Sequence, residues 1–156
     1  MATIKDVAAY ILKHYGPMTA MKLQKLCYFA YGYHLVWEDR RLFTERFEAW
    51  ANGPVSPVLY GCHRGRFELR DGDIHGDPDA LDEGEQESID LVLQGLGGYT
   101  AHQLSTITHR EGPWVSARNR ARVAPMERSN EQLRDDEIGE HFDALTSSDA
   151  AEDAQG

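Results

Sequence analysis

The sequence predicts a mainly α fold: one compact helical domain of six or seven helices, with a small β element around residues 43–52. Three observations carry that prediction. Apolar residues recur at helical spacing through most of the chain. Thr, Ser and Pro stand where such stretches begin, and Gly or Pro where they end. One short stretch alternates with period two. The 156 residues amount to about one domain. With 41 % hydrophobic and 27 % charged residues and a mean hydropathy of −0.56, the composition is that of an ordinary water-soluble protein. The domain is expected over residues 1–145, with residues 146–156 forming an acidic disordered tail.

The elements follow in order. Thr3 with Asp6 three residues later reads as a capping box, and Val7, Ile11, Leu12 and Tyr15 recur at helical spacing. Gly16-Pro17 should stop this helix, Gly through a left-handed cap and Pro by breaking the ladder. Thr19 caps a second helix, in which Leu23, Leu26, Ala30, Tyr33 and Trp37 form one apolar stripe. Cys27, Tyr28, Phe29, Tyr31 and Leu35 widen its apolar surface, so it is expected at the centre of the core, with Lys22 and Lys25 off the stripe. Residues 43–51 read as a strand or half a hairpin, closed by Asn52-Gly53-Pro54. Ser56-Pro57 opens a third helix running towards Arg64. Residues 65–82 read as a solvated loop with an extended piece at 67–69. Residues 83–96 form an amphipathic helix with acids in its first turn. Thr100 caps a fifth helix, Glu111-Gly112 breaks it, and Pro113-Trp114 starts another. Ser129 or Asn130 is expected to open the last, carrying Leu133, Ile138, Phe142 and Leu145.

No window approaches roughly 18 consecutive apolar residues, which excludes a membrane-spanning helix. The first six residues lack a secretory apolar region, and two cysteines, Cys27 and Cys62, suit a reduced compartment, so a cytoplasmic location is expected. The net charge of −10 is unevenly placed: +4 over residues 1–66, −9 over 67–109, +3 over 110–134 and −8 over 135–156. A nucleic-acid binder usually carries a basic footprint, so DNA or RNA is a poor first choice of partner. Solvated acidic loops account for the charge, with attraction of a basic partner as the other reading.

Catalytic signatures are missing from the sequence: no phosphate loop, no dinucleotide fingerprint, no His-Glu-x-x-His and no nucleophile elbow occurs. A Cys–His pair built from Cys27 or Cys62 with a distant His stays open, although Cys62 and His63 are neighbours whose side chains diverge on a helix. The seven histidines show no pair at zinc-finger spacing, so neither a metal nor any other cofactor is expected. His109 near a helix end is expected to bond last-turn carbonyls. Tyr28, Phe29, Tyr31, Tyr33 and Trp37 with Lys22 and Lys25 suggest a base-stacking platform, but their spacing follows the core stripe. The residues alone therefore reach a binding domain with no visible catalyst.

Three stretches then resemble one family. Lys22-Leu23-Gln24-Lys25-Leu26-Cys27-Tyr28-Phe29-Ala30-Tyr31-Gly32-Tyr33-His34-Leu35 is similar to the first motif of the SocA-like Panacea antitoxins. Phe47-Glu48-Ala49-Trp50-Ala51-Asn52-Gly53-Pro54-Val55 with Pro57-x-x-Tyr60 resembles the second, and Leu104-Ser105-x-x-Thr108-His109-x-x-x-Pro113-Trp114 the third. The likeness spans roughly residues 5–143, and three motifs in register are more specific than any one. The resemblance implies a helical antitoxin domain that is not an enzyme and neutralises a cognate protein toxin by direct contact, the toxin being encoded by the adjacent gene. It also implies an adaptor variant that delivers the toxin to a protease. Some relatives add a DNA-binding domain, for which this chain is expected to have no room. A Cys–His hydrolase and an RNA-binding module are the readings from other classes.

Gly53-Pro54 and Trp114 have a structural reading of their own, as a fixed corner and as packing on the central helix. The functional reading places Trp50, Asn52, Gly53 and Val55 on a rim covered by the toxin, flanked by Lys22, Gln24 and Lys25. Leu26, Pro54, Pro57, Tyr60, Thr108, His109, Pro113 and Trp114 are the motif residues expected to hold the fold.

Overall fold

Local capping sets most of the helix starts. The computed structural model describes residues 1–110 and 112–155, with side chains described for 1–109 and 112–147. Thr3 accepts from the Asp6 amide while Asp6 reaches back to Thr3 N, opening α1 (Ile4–Tyr15). Thr19 caps α2 (Ala20–Trp37) through the Lys22 amide. Between them β1 (Met18–Thr19) pairs with β4 (Glu68–Leu69), the extended piece expected near residue 67. The stop at Gly16-Pro17 is present, but Gly16 is extended (φ −75°, ψ 174°) and not left-handed. The residue before a proline is pushed into that region.

Further along, β2 (Glu48–Trp50) and β3 (Gly53–Val55) form an antiparallel hairpin, followed by α3 (Pro57–His63) capped by Ser56. A 3₁₀ turn (Pro78–Ala80) precedes α4 (Glu83–Leu96); α5 (Ala101–Arg110), α6 (Pro113–Ala121) and α7 (Asp135–Gln155) complete the chain. Seven α-helices among the described residues and a small β element make this a mainly α domain. Of the expected break at Glu111-Gly112, Glu111 lies outside the described residues.

The β element differs from the 43–52 expectation by starting later and folding back to residue 55. Phe43 does not join a strand; it is buried against Tyr31 and Phe47 instead. The last helix starts at Asp135, not at Ser129 or Asn130, because residues 131–133 serve the hairpin edge. Ala49 N donates to Glu131 O (2.8 Å) and Leu133 N donates to Phe47 O (2.9 Å). Those edge groups would otherwise be unpaired beside the core. Nor is the chain after Thr146 irregular: α7 continues to Gln155, so the boundary placed at residue 145 falls inside a helix. No Gly or Pro interrupts residues 140–155, and four alanines favour the helix; Gly156 lies outside the described residues.

α2 is the axis of the fold. Leu23 through Gly32 are all buried, so the helix is covered on every side, by α1, α4, α5, α7 and β3. Trp37, placed on the apolar stripe, is 40 % exposed and stacks on Tyr33. α7 closes over α2 through Phe142, which meets Tyr28, Phe29 and Tyr33 edge to face. Gly32 is required there, since a Cβ would overlap the Phe142 ring. At the start of α7, Asp135 accepts from Tyr31 Oη (2.7 Å) and ion-pairs with Arg41 (2.8 Å) and Arg46 (3.2 Å). No helix among the described residues is long and apolar enough to cross a membrane.

Candidate functional site

The hairpin turn is built so that its outward carbonyls meet side chains instead of water. Gly53 sits at φ +126°, a conformation L residues avoid, and a Cβ there would also press on Lys25 Cε at 2.7 Å. Four neighbouring carbonyls then find four donors. Arg118 Nη1 donates to Ala49 O (2.9 Å), Trp114 Nε1 to Trp50 O (2.8 Å), Ser105 Oγ to Asn52 O (3.2 Å) and Lys25 Nζ to Pro54 O (3.2 Å). These donors come from α6, α5 and α2, so all three sequence motifs converge on one turn.

The clamp is tied further on its far side. Arg118, 6 % exposed, also donates through Nη2 to Ala124 O (2.9 Å) and Glu127 O (2.7 Å), and its guanidinium lies 5.2 Å from the Trp114 ring centre. His109 does not cap the last turn of α5 as expected. Its ring stacks on Trp114 (4.2 Å, 10°) and hydrogen-bonds the backbone of Asn52. Burial depresses its pKa; the Asn52 bond opposes that shift, and the Lys25 and Arg118 charges add to it. Trp114 therefore binds the hairpin backbone, not simply the central helix. Thr108, 6 % exposed, turns its hydroxyl to Ser105 O (2.8 Å).

Two residues expected to flank a surface patch are interior. Lys25 is fully buried and its pKa falls to about 8, because burial penalises the ammonium. Gln24, also fully buried, exchanges bonds with Ser56: Gln24 Nε2 donates to Ser56 O (3.1 Å) and Ser56 N donates to Gln24 Oε1 (2.9 Å). Its Nε2 also lies 3.0 Å from His63 Nε2. Helical periodicity assigns both to the outside, but the hairpin and α3 cover that side of α2. Lys22 is half-buried with Nζ on Gly97 O. Gly53 and Pro54 are buried, and Leu26 lies in the core. Pro57 begins α3, Pro113 begins α6, and Tyr60 packs edge to face on Trp50 at 5.0 Å.

What reaches the surface is a cleft of about 280 Å³ lined by Met21, Trp50, Asn52, Val55 and residues 128–130. Trp50, Asn52 and Val55 were expected on a rim; Val55 contributes despite being 1 % exposed. Met21, Arg118 and residues 128–130 were missed. An Arg in the last turn of a helix is explained by the dipole alone, so Arg118 carried no signal of its second task.

The chemistry of the remaining candidates is muted. Cys27 is fully buried and burial pushes its thiol pKa upward, away from thiolate. Cys62 is partly exposed, its Sγ on Val58 O (3.5 Å), while the adjacent His63 turns inward to Gln24. Tyr28, Phe29 and Tyr31 are at most 3 % exposed, so they are core and no stacking platform. Among the described residues no group of three or more His, Cys, Asp or Glu is arranged to hold a metal ion.

Comparison with known proteins agrees with the assembled motifs. The profile of the family described as antitoxin SocA-like, Panacea domain, matches residues 23–115, the span from the start of the first motif to the end of the third. Antitoxin SocA of Caulobacter vibrioides (strain NA1000 / CB15N) is 36 % identical over 121 residues, covering 63 % of this chain and 58 % of that relative. The chain thus spans under two thirds of the curated relative it matches. No solved structure matches it significantly.

Proposed function

Since the chain belongs to the SocA-like Panacea-domain family, we propose that it is an antitoxin that neutralises a cognate protein toxin by direct binding. Family membership across all three motifs is the observation that carries this reading. The clamp supports it physically. Lys25, Ser105, Trp114 and Arg118 are spent on backbone carbonyls, which preorganises the hairpin and lowers the entropy lost on binding. The burial of Cys27 and the turn of His63 towards Gln24 support binding over a Cys–His hydrolase. Both are free thiols, in keeping with a reducing cytoplasm.

The toxin is proposed to be the product of the adjacent gene. Co-expression tests this: the chain should restore growth against a toxic neighbour and co-purify with it. Failure of both overturns the reading. Toxin half-life separates the two modes of action, since delivery to a protease shortens it and sequestration leaves it unchanged or longer.

A further inference from the structure

Three clefts meet at Met21, the second residue of α2. The first is the cleft against Trp50, Asn52 and Arg128; a second, of about 310 Å³, lies between Asn52 and the α5 side chains of His102, Ser105 and His109. The third, of about 550 Å³, opens towards Tyr60, His63, Arg66 and Phe67. Their lining mixes apolar and aromatic side chains with Asn, Ser, Thr, three histidines and two arginines, and none of the three includes an Asp or Glu. That is notable in a chain whose acids outnumber its Lys and Arg 26 to 16. Elsewhere the balance reverses: the cleft between the end of α2 and the start of α7 is lined by Asp39, Asp135, Asp136, Glu140 and Asp143.

Two further features mark the Met21 surface. Phe67 is 82 % exposed, an arrangement water does not favour for a whole phenyl ring. Arg128 is exposed and makes no ion pair among the described residues. Of the carboxylates near the region, Asp73 pairs with Arg66 (3.4 Å) and Glu48 accepts from Trp50 Nε1 (2.9 Å), while Glu68 beside Phe67 is exposed.

We infer that the clefts around Met21 form one docking surface for a segment of a partner protein that carries carboxylates beside an aromatic or aliphatic anchor. The anchor seats between Trp50 and Phe67, and the carboxylates face Arg66 and Arg128. Charge complementarity selects this occupant. A basic segment would find no carboxylate lining the clefts, whereas an acidic one meets at short range the guanidinium of Arg128, which has no ion pair among the described residues. The inference rests on the antitoxin reading for the partner's identity and adds the chemistry of what is bound.

The test uses the full chain and a random-peptide display library, with Arg128→Glu and Phe67→Ser as variants and Asp143→Lys as control. All three positions are exposed, so unfolding midpoints should match the wild type. Enriched peptides should combine Asp or Glu with an apolar anchor. They should bind Arg128→Glu and Phe67→Ser at least tenfold more weakly, bind Asp143→Lys unchanged, and lose affinity as salt rises. Enrichment of basic peptides, no enrichment, or binding to either variant as tight as to the wild type overturns the docking surface, and leaves growth rescue by the neighbouring gene pair to decide the antitoxin reading. Acidic peptides that bind as expected, with neither rescue nor co-purification, uphold the surface and overturn the antitoxin.

Discussion

The two sides of α2 are equally buried and held by opposite means. Towards α7, Tyr28, Phe29 and Tyr33 meet Phe142 in edge-to-face contacts, and the cohesion is dispersion and burial. Towards the hairpin and α3, Gln24 and Lys25 are just as inaccessible, and every contact described for them is a hydrogen bond. The aromatic side tolerates an exchange of shapes at conserved volume. The polar side does not, because each lost partner leaves a buried donor or acceptor unmet. The surface proposed for docking rests on the polar side, where geometry is specified most tightly.

Breaking the aromatic side should give the largest loss. Phe142→Ala is expected to cost about 3–5 kcal/mol in denaturant unfolding, with hairpin-dependent binding weakened only in proportion to the unfolded fraction. On the polar side, Arg118→Met deprives Ala49, Ala124 and Glu127 of a donor to their carbonyls and should cost about 3 kcal/mol. There, binding should fall further than stability accounts for, because the hairpin is released. Equal effects on binding from the two variants would erase the distinction.

Lys25 sharpens the comparison through pH. Its pKa falls from 10.5 to about 8 on folding. Below pH 8 the ammonium is buried at full cost. Between pH 8 and 10.5 the unfolded chain keeps the proton that the native chain has shed, so stability rises with pH; above 10.5 both forms are neutral. The rise should be about 3 kcal/mol at most and should vanish from the difference curve with Lys25→Met. Gly32→Ala, which pushes a methyl into Phe142, should cost about 1–3 kcal/mol, partly recovered in the double variant with Phe142→Leu.

The smallest effect belongs to His34, fully buried with Nδ1 2.8 Å from Ser88 Oγ and Nε2 without a hydrogen-bond partner among the described residues. Burial lowers its pKa below 6.5, and the Arg40 charge adds to the shift. Stability is therefore present near neutrality and lost as pH falls below 6.5, where the unfolded chain takes up the proton first. His34→Gln should flatten that acid limb in thermal unfolding monitored from pH 7 to 5. An unchanged limb would assign it to His63 and His109, whose burial depresses them in the same sense.

Local chemistry was legible in the sequence, and chemistry between distant segments was not. Thr3, Thr19 and Ser56 announce their helices because a cap needs only the next three residues. The apolar stripe from Leu23 to Tyr33 is readable because periodicity is a property of one helix. Gln24 and Lys25 read as surface because their partners lie 29 to 39 residues away. Residues 129–134 read as a helix start because their hydrogen bonds go to a strand edge some eighty residues earlier in the chain. Trp50, Asn52 and Val55, expected together from one short stretch, line one cleft, which Met21 and Arg128 join only through the fold.

The bonds from Phe47 and Ala49 to residues 131–133 set an order of events during synthesis. A ribosome that has translated the hairpin still owes it an edge partner, so the hairpin edge stays unpaired until residues 131–133 have emerged. Locking of the hairpin thus follows synthesis of residues 131–133. A product truncated before residue 131 would display the hairpin without this edge partner.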